Sequence, residues 1–232
     1  MGHRATLIAL MVALASAAAD PAVAGCGDRP APGVDWSGCY KPRLNLSNDS
    51  LHGANLQRTD LSGSDLAGAD LSGADLSGAT LVRTRLTGAT LTGANLAKAM
   101  FDRAILRDAD LSGAQLTKTE LHRADLTNAK LVGSLMEKAE LGRARLTNAD
   151  LSGADLNRAY LARADLRDAT LAEADLTEAD VYRADLRGAD LSQSRGLSQE
   201  QLEGSCGDGA TKLPAGLMPP AKWPCASASD AD

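Results

Sequence analysis

The stretch Ala69-Asp70-Leu71-Ser72-Gly73-Ala74-Asp75-Leu76-Ser77-Gly78 states one five-residue unit twice: small, polar, leucine, polar, glycine. The leucine recurs at every fifth position from Leu46 to Leu191, and of these 30 positions 27 are leucine, the others being Phe101, Met136 and Val181. A period of five is neither the 3.6 of an amphipathic helix nor the 2 of a half-buried strand, so neither element accounts for the chain. Two residues before the central one, from Ala54 to Ala189, 23 of 28 positions are alanine, and the exceptions are Thr59, Ser64, Thr84, Thr119 and Ser134. A fixed large residue beside a fixed small one implies two inward positions per unit, each packing on its own kind in the coils above and below. The other three positions face water.

An internal period takes precedence over chain length in setting domain organisation, because a solenoid grows without adding a second globular core. Aromatic residues make up only 3% of the chain. That scarcity argues against a conventional packed core and against an aromatic-lined ligand pocket. Apolar burial has to come from stacked leucines.

The unit resembles the A(D/N)LxG signature of the pentapeptide-repeat family, and the match covers roughly residues 44–195. The resemblance implies an all-β fold, a right-handed quadrilateral β-helix in which four units make one coil of 20 residues. Leucine-rich and calcium-binding nonapeptide repeats fail on period or motif. At an inter-strand spacing of about 4.8 Å, 30 units would give roughly seven and a half coils and a rod about 36 Å long. Its ends need covering, since an open coil leaves unpaired backbone groups and a bare leucine layer.

The flanks fit that need. Residues 1–24 read as an export signal: His3 and Arg4 form a short positive start, Ala5 to Ala19 is apolar, and small residues follow. No later segment is apolar enough to cross a bilayer. Residues 25–43 form an N-terminal cap with Pro30, Pro32 and Trp36, the last a candidate lid over the first leucine layer. Leu44 and Asp49 depart from the small-residue rule, so the first coil is ragged. Residues 196–225 form a C-terminal cap, in which Ser198 is placed to start a short helix through Gln201 and Leu202 that Gly204 ends. The segment from Gly204 to Trp223 and Cys225 resembles the extension that closes exported family members, and residues 226–232 form a loose tail.

Cys26, Cys39, Cys206 and Cys225 flank the array in two pairs, read as disulfides Cys26–Cys39 and Cys206–Cys225 in an oxidising compartment, periplasmic or extracellular. The alternative is a lipid tether, since Val23-Ala24-Gly25-Cys26 resembles a lipoprotein cleavage box, and only then would the chain be membrane-anchored. Neither cysteine pair has zinc-site spacing.

Written in rows of 20, the sequence places Arg83, Arg103, Arg123, Arg143, Arg163 and Arg183 in one corner column. The equivalent position of the preceding face carries Arg58, Lys98, Lys118, Lys138 and Arg158, interrupted by Gly78 and Glu178. A chain of net charge −6 thus carries two adjacent basic ridges. Unit charges about 4.8 Å apart repel by about 0.9 kcal/mol even at the dielectric of water, so the column has a cost. Glu120, Glu140 and Asp180 are placed to offset part of it by pairing with Arg123, Arg143 and Arg183. Duplication of a 20-residue ancestor with a solvated corner would also make such a column. Against duplication alone, the residues just before the same leucines drift through Thr80, Met100, Glu120, Glu140, Tyr160 and Asp180 while the arginines stay.

Nothing in the chain reads as an enzyme or calls for a cofactor or metal. His3, His52 and His122 are scattered, and no nucleophile elbow, phosphate loop or metalloprotease motif occurs. Asp65, Asp70, Asp75, Asp150 and Asp155 precede leucines on a convex rod, where carboxylates bond nearby backbone as at turns. The expected function is an exported structural or binding rod that displays the ridge residues to an anionic partner: an envelope polysaccharide, an acidic protein or lipid headgroups. Nucleic acid is disfavoured by export and by the lack of aromatics on the ridge itself. Two alternatives stand. Some cytosolic family members resemble duplex DNA in shape and charge and protect topoisomerases, and a rod can also be a spacer with no specific ligand.

Overall fold

In the computed structural model, which describes residues 25–225, parallel pairing recurs at a constant offset of 20 from Asp35 with Asn55 to Asp175 with Arg195. Four five-residue units therefore close one coil. Pairing runs through single residues and forms no continuous strand among the described residues. In each unit the residue before the leucine is bridged and the two after it form a turn, so no run long enough for a conventional strand remains.

The unit signature follows from where its backbone bonds go. In the unit centred on Leu121, the Leu121 N–H donates to Glu140 O at 2.8 Å and the Arg123 N–H to Gly142 O at 3.1 Å, both in the next coil. The Asp125 N–H, at the start of the following unit, donates back to Ala104 O at 2.9 Å. The Ala124 N–H closes the corner on Leu121 O at 3.0 Å. That leaves the residue after each leucine, whose N–H can reach neither neighbouring coil. Asp or Asn two residues earlier accepts it: Oδ1 of Asp65, Asp70, Asp75, Asp150 and Asp155 takes the N–H of Ala67, Ser72, Ser77, Ser152 and Asn157 at 2.9–3.1 Å. These acids are turn caps, as the sequence predicts.

The central residues from Leu46 to Leu191, Phe101 and Met136 included, are no more than 2% exposed. Each buried leucine contributes about 1.5–3 kcal/mol relative to an exposed one. The hydroxyl exceptions in the alanine columns are also buried. Thr59, Thr119 and Ser134 donate to Trp36 O, Leu96 O and Leu131 O at 2.6–2.8 Å, which removes the penalty for burying them.

Both ends are closed. Trp36 is fully buried in register with Leu56 and Leu76, so the coiled path starts ahead of the regular leucine period, and Lys41 Nζ lies 4.0 Å from its ring centroid. Cys26 and Cys39 form a disulfide with Cα atoms 5.5 Å apart. At the other end, helix α1 (Gln199–Glu203) starts at Ser198 in a capping box with Gln201 and stops at Gly204. Gln201 Nε2 reaches Ala179 O at 2.7 Å, and Leu202 is fully buried over the last coil. Cys206 and Lys212 then pair with Asp185 and Asp190, covering the last open edge, and Cys206 is disulfide-bonded to Cys225 with Cα atoms 5.7 Å apart. The export segment 1–24, its lipoprotein-like residues before Gly25, and the tail 226–232 lie outside the described residues.

Candidate functional site

From Gly33 to Gly188 the residue two beyond each central one sits in the left-handed region. Among the described residues 19 non-glycine side chains occupy it, and 12 of them are Arg or Lys. Asn and Asp tolerate this conformation better than other side chains, so a bias to long cations is not what backbone preference alone selects. Arg83, Arg103, Arg123, Arg143, Arg163 and Arg183 all adopt it, with φ between 55° and 61°.

The structure stacks these six arginines on one corner in successive coils, as the rows of 20 predict. None of them forms an ion pair within 4.0 Å among the described residues. The expected partners act elsewhere. Glu140 reaches back 18 residues to His122 Nε2 at 2.7 Å, and Asp180 caps the Tyr182 N–H at 2.8 Å. Glu120 forms no ion pair among them either. Arg123, Arg143 and Arg183 thus form no ion pair with the carboxylate three residues before them.

The second ridge behaves differently. Lys138 pairs with Glu137 at 2.7 Å, and Arg158 pairs with Glu178 at 2.6 Å. Through that hydrogen bond, and then through charge attraction, the Glu178 carboxyl is held below its usual range and the Arg158 guanidinium above its own. Arg58, Lys98 and Lys118 carry no ion pair among the described residues. The ridge is thus partly neutralised towards its C-terminal end, whereas the arginine column is not.

Beside the arginines lies a surface groove of about 490 Å³ whose walls include Arg103, Arg123, Arg143, Arg163, His122 and Tyr160. Gly142 and Ala162, where neighbouring coils carry Asp102, His122 and Tyr182, form its buried floor. A Cβ on Gly142 would stand 2.7 Å from Tyr160 Cε1 and 3.0 Å from His122 Nδ1, so glycine is needed for these two rings to close over the coil. His122 and Tyr160 meet edge to face with centroids 6.4 Å apart. The sequence shows no aromatic on the ridge itself. The structure nonetheless sets Tyr160 and Tyr182 beside it, 44% and 54% exposed, with Arg183 over the Tyr182 ring at 5.7 Å. His122, Gly142, Tyr160 and Ala162 are not among the residues that the sequence marks for binding. His122 meets Glu140, and Tyr160 meets Gly142, at an offset of 18, which columns of 20 do not align.

The same face lacks turn caps over five coils. Asp60 caps Ser62 at one end and Asp180 caps Tyr182 at the other. Between them Thr80, Met100, Glu120, Glu140 and Tyr160 occupy the capping position. The N–H groups of Val82, Asp102, His122, Gly142 and Ala162 find no acceptor among the described residues. On no other described face does an uncapped run reach this length.

Constant offset pairing, a leucine interior and charged side chains that, Asp125 apart, are exposed or half-exposed among the described residues define a β-solenoid that displays its charges outward. The pentapeptide-repeat family model matches in 8 copies over residues 45–88, 84–123, 119–158 and 154–193, and the chain belongs to the pentapeptide-repeat family. It is similar to HetL, a pentapeptide repeat protein involved in heterocyst differentiation regulation from the cyanobacterium Nostoc sp. strain PCC 7120, with 32% identity over 77% of this chain and 86% of that one, and a TM-score of 0.52. QnrB1, a plasmid-mediated fluoroquinolone resistance protein, is 21% identical over 78% of this chain and 89% of its own, with a TM-score of 0.44. A pentapeptide repeat protein of the Arabidopsis thaliana thylakoid lumen is 32% identical over 45% of this chain and 69% of its own, with a TM-score of 0.36. No curated protein matches.

Proposed function

We propose that the protein is a non-enzymatic, exported rod that binds an anionic partner of the cell envelope through its arginine face. The observation that carries this is the column from Arg83 to Arg183: six exposed or half-exposed cations, in a backbone conformation that disfavours them, without an ion pair among the described residues. Mutual repulsion and conformational cost both oppose such a column, and a bound anion relieves the first. Two disulfides fit an oxidising compartment. The β-helix holds the side chains on a fixed lattice, so little ordering cost falls due on binding.

Charge reversal tests this. The triple variant Arg103→Glu, Arg123→Glu, Arg143→Glu is expected to lose binding to acidic polysaccharides and envelope extracts, and the wild-type binding is expected to weaken with added salt. Binding that is unchanged in the variant sinks the proposal. Mimicry of duplex DNA calls for a continuous acidic face, so binding to a topoisomerase that survives the triple reversal would favour that reading instead.

A further inference from the structure

Resting on that reading, we infer that the groove along Arg103 to Arg163 binds a linear glycan carrying one carboxylate on each sugar ring, its carboxylates taking the places that Asp side chains hold in the capped repeats.

The chemistry of the vacant capping position names the group. In 17 units the N–H after the leucine is held by an Asp or Asn Oδ1, and in this protein a carboxylate is its commonest partner. On the arginine face the donors of five successive units are left open, each followed directly by an outward arginine. An N–H and a guanidinium side by side form a two-part carboxylate site, and charge-assisted bonds of this kind are the stronger ones.

The repeat length names the polymer. The sites recur at the inter-coil spacing of about 4.8 Å, and the groove spans four coils, about 14 Å from first to last. A pyranose chain advances by about one ring length per residue and successive rings turn over when it is extended, so its same-side uronate carboxylates recur at about two ring lengths, close to two coil spacings of about 9.6 Å, and enter every second slot. An extended acidic peptide matches neither one coil nor two, because its same-side side chains recur at about 6.8 Å.

The aromatic residues agree. All three tyrosines of the chain, Tyr40, Tyr160 and Tyr182, lie on this face, and they are the exposed aromatics among the described residues, at 80%, 44% and 54%. A tyrosine offers an apolar ring face to a sugar and a hydroxyl to its polar edge. Local charge also matters. Asp102, Glu120 and Glu140 stand on the face with the arginines, so its field is only mildly positive. That suits one carboxylate per ring. Nucleic acid binding by charge alone asks for a strongly basic surface, whereas this chain has net charge −6.

The test restores the caps without altering charge. Glu120→Asp with Glu140→Asp shortens each side chain to the length that caps elsewhere, and slowed amide exchange at His122 and Gly142 reports that the caps have formed. Galacturonate oligomers are titrated calorimetrically into the full disulfide-bonded chain, with neutral galactan, polyglutamate, single-stranded DNA and phosphatidylglycerol vesicles as comparison arms. Wild type is expected to bind the uronate oligomers and not galactan, and the double variant to bind them about tenfold or more weakly, the loss of a charge-assisted bond per site. Glu140→Gln, which frees His122 but cannot cap, should keep the binding. Uronate binding unchanged in the capped variant yet lost in the triple charge reversal overturns the carboxylate slots and leaves the arginine face standing. Preference for DNA, vesicles or polyglutamate over uronate overturns the glycan. No binding to any arm overturns both.

Discussion

Two opposite corners of the rod share one backbone conformation and make opposite choices of side chain. Gly53, Gly73, Gly93, Gly113, Gly133 and Gly153 occupy one corner with φ of 62–65°, and Arg83 to Arg183 occupy the other with φ of 55–61°. Interior columns of leucine and alanine are alike behind both. The glycine corner follows conformational preference, and its face keeps alternate Asp caps at Ser72, Ser112, Ser152 and Ser192. The arginine corner goes against that preference and its face drops the caps. Six repetitions of a locally unfavourable choice, together with the loss of a locally favourable one, set the arginine corner apart from the glycine corner.

The largest expected effect comes from forcing the glycine corner. A Cβ added to Gly113 or Gly133 would have no atom within 4 Å, so a side chain there meets open space and only the dihedral is strained. Gly113→Val and Gly133→Val, with a β-branch that tolerates positive φ worst, should each cost about 1–2 kcal/mol. Thermal unfolding of the single and double variants checks this. A valine pair that leaves the transition unmoved would show that the corner imposes no cost, and the contrast between the corners would lose its meaning.

The reverse exchange is smaller and has the opposite sign. Arg103→Gly, Arg123→Gly and Arg143→Gly relieve left-handed strain but add chain entropy to the unfolded state, for a net gain of about 0.5–1 kcal/mol each. The triple variant should therefore melt higher than wild type while binding its anionic partner less well. Salt separates the two origins of the gain: the part due to relieved repulsion shrinks as ionic strength rises, and the part due to backbone strain does not. A triple glycine variant less stable than wild type would mean that the arginines hold the fold together.

What the sequence could show depended on the offset at which residues meet. The leucine and alanine columns, the arginine column and the closing helix after Ser198 all follow from periods of 5 and 20 or from local capping chemistry, and each is where the sequence places it. The carboxylates at Asp65 and Asp70 are legible for the same reason, being bonded two residues along. The groove is not legible that way. His122 meets Glu140, and Tyr160 overhangs Gly142, at an offset of 18, because the residue before a leucine leans back onto the residue after the leucine in the previous coil. The same lean removes Glu140 from Arg143. The drift through Thr80, Met100, Glu120, Glu140 and Tyr160, visible in the sequence as loss of uniformity, is in the structure the loss of five caps.

That difference in capping gives the two faces different responses to acid. On the glycine face, hydrogen bonds from the Ser72 hydroxyl and N–H hold the Asp70 carboxyl below its usual range. The Asp190 carboxyl is lowered to about 2 by Lys212 first and then by the Ser192 hydroxyl and N–H. A carboxyl whose folded pKa lies below its unfolded value stabilises the fold fully above the unfolded value and loses that contribution as pH falls through the folded one. For Asp190 the window runs from about 4 down to about 2. Over it the Ser192 amide should lose protection from hydrogen exchange, after correction for intrinsic rates, and the Ser72 amide should lose its own as the lowered Asp70 carboxyl takes up its proton. The amides of His122 and Gly142, which have no cap to protonate, should change less. Equal loosening of both faces would mean that acid acts through net charge and not through the caps, and the vacant positions on the arginine face would then differ from the filled ones in appearance only.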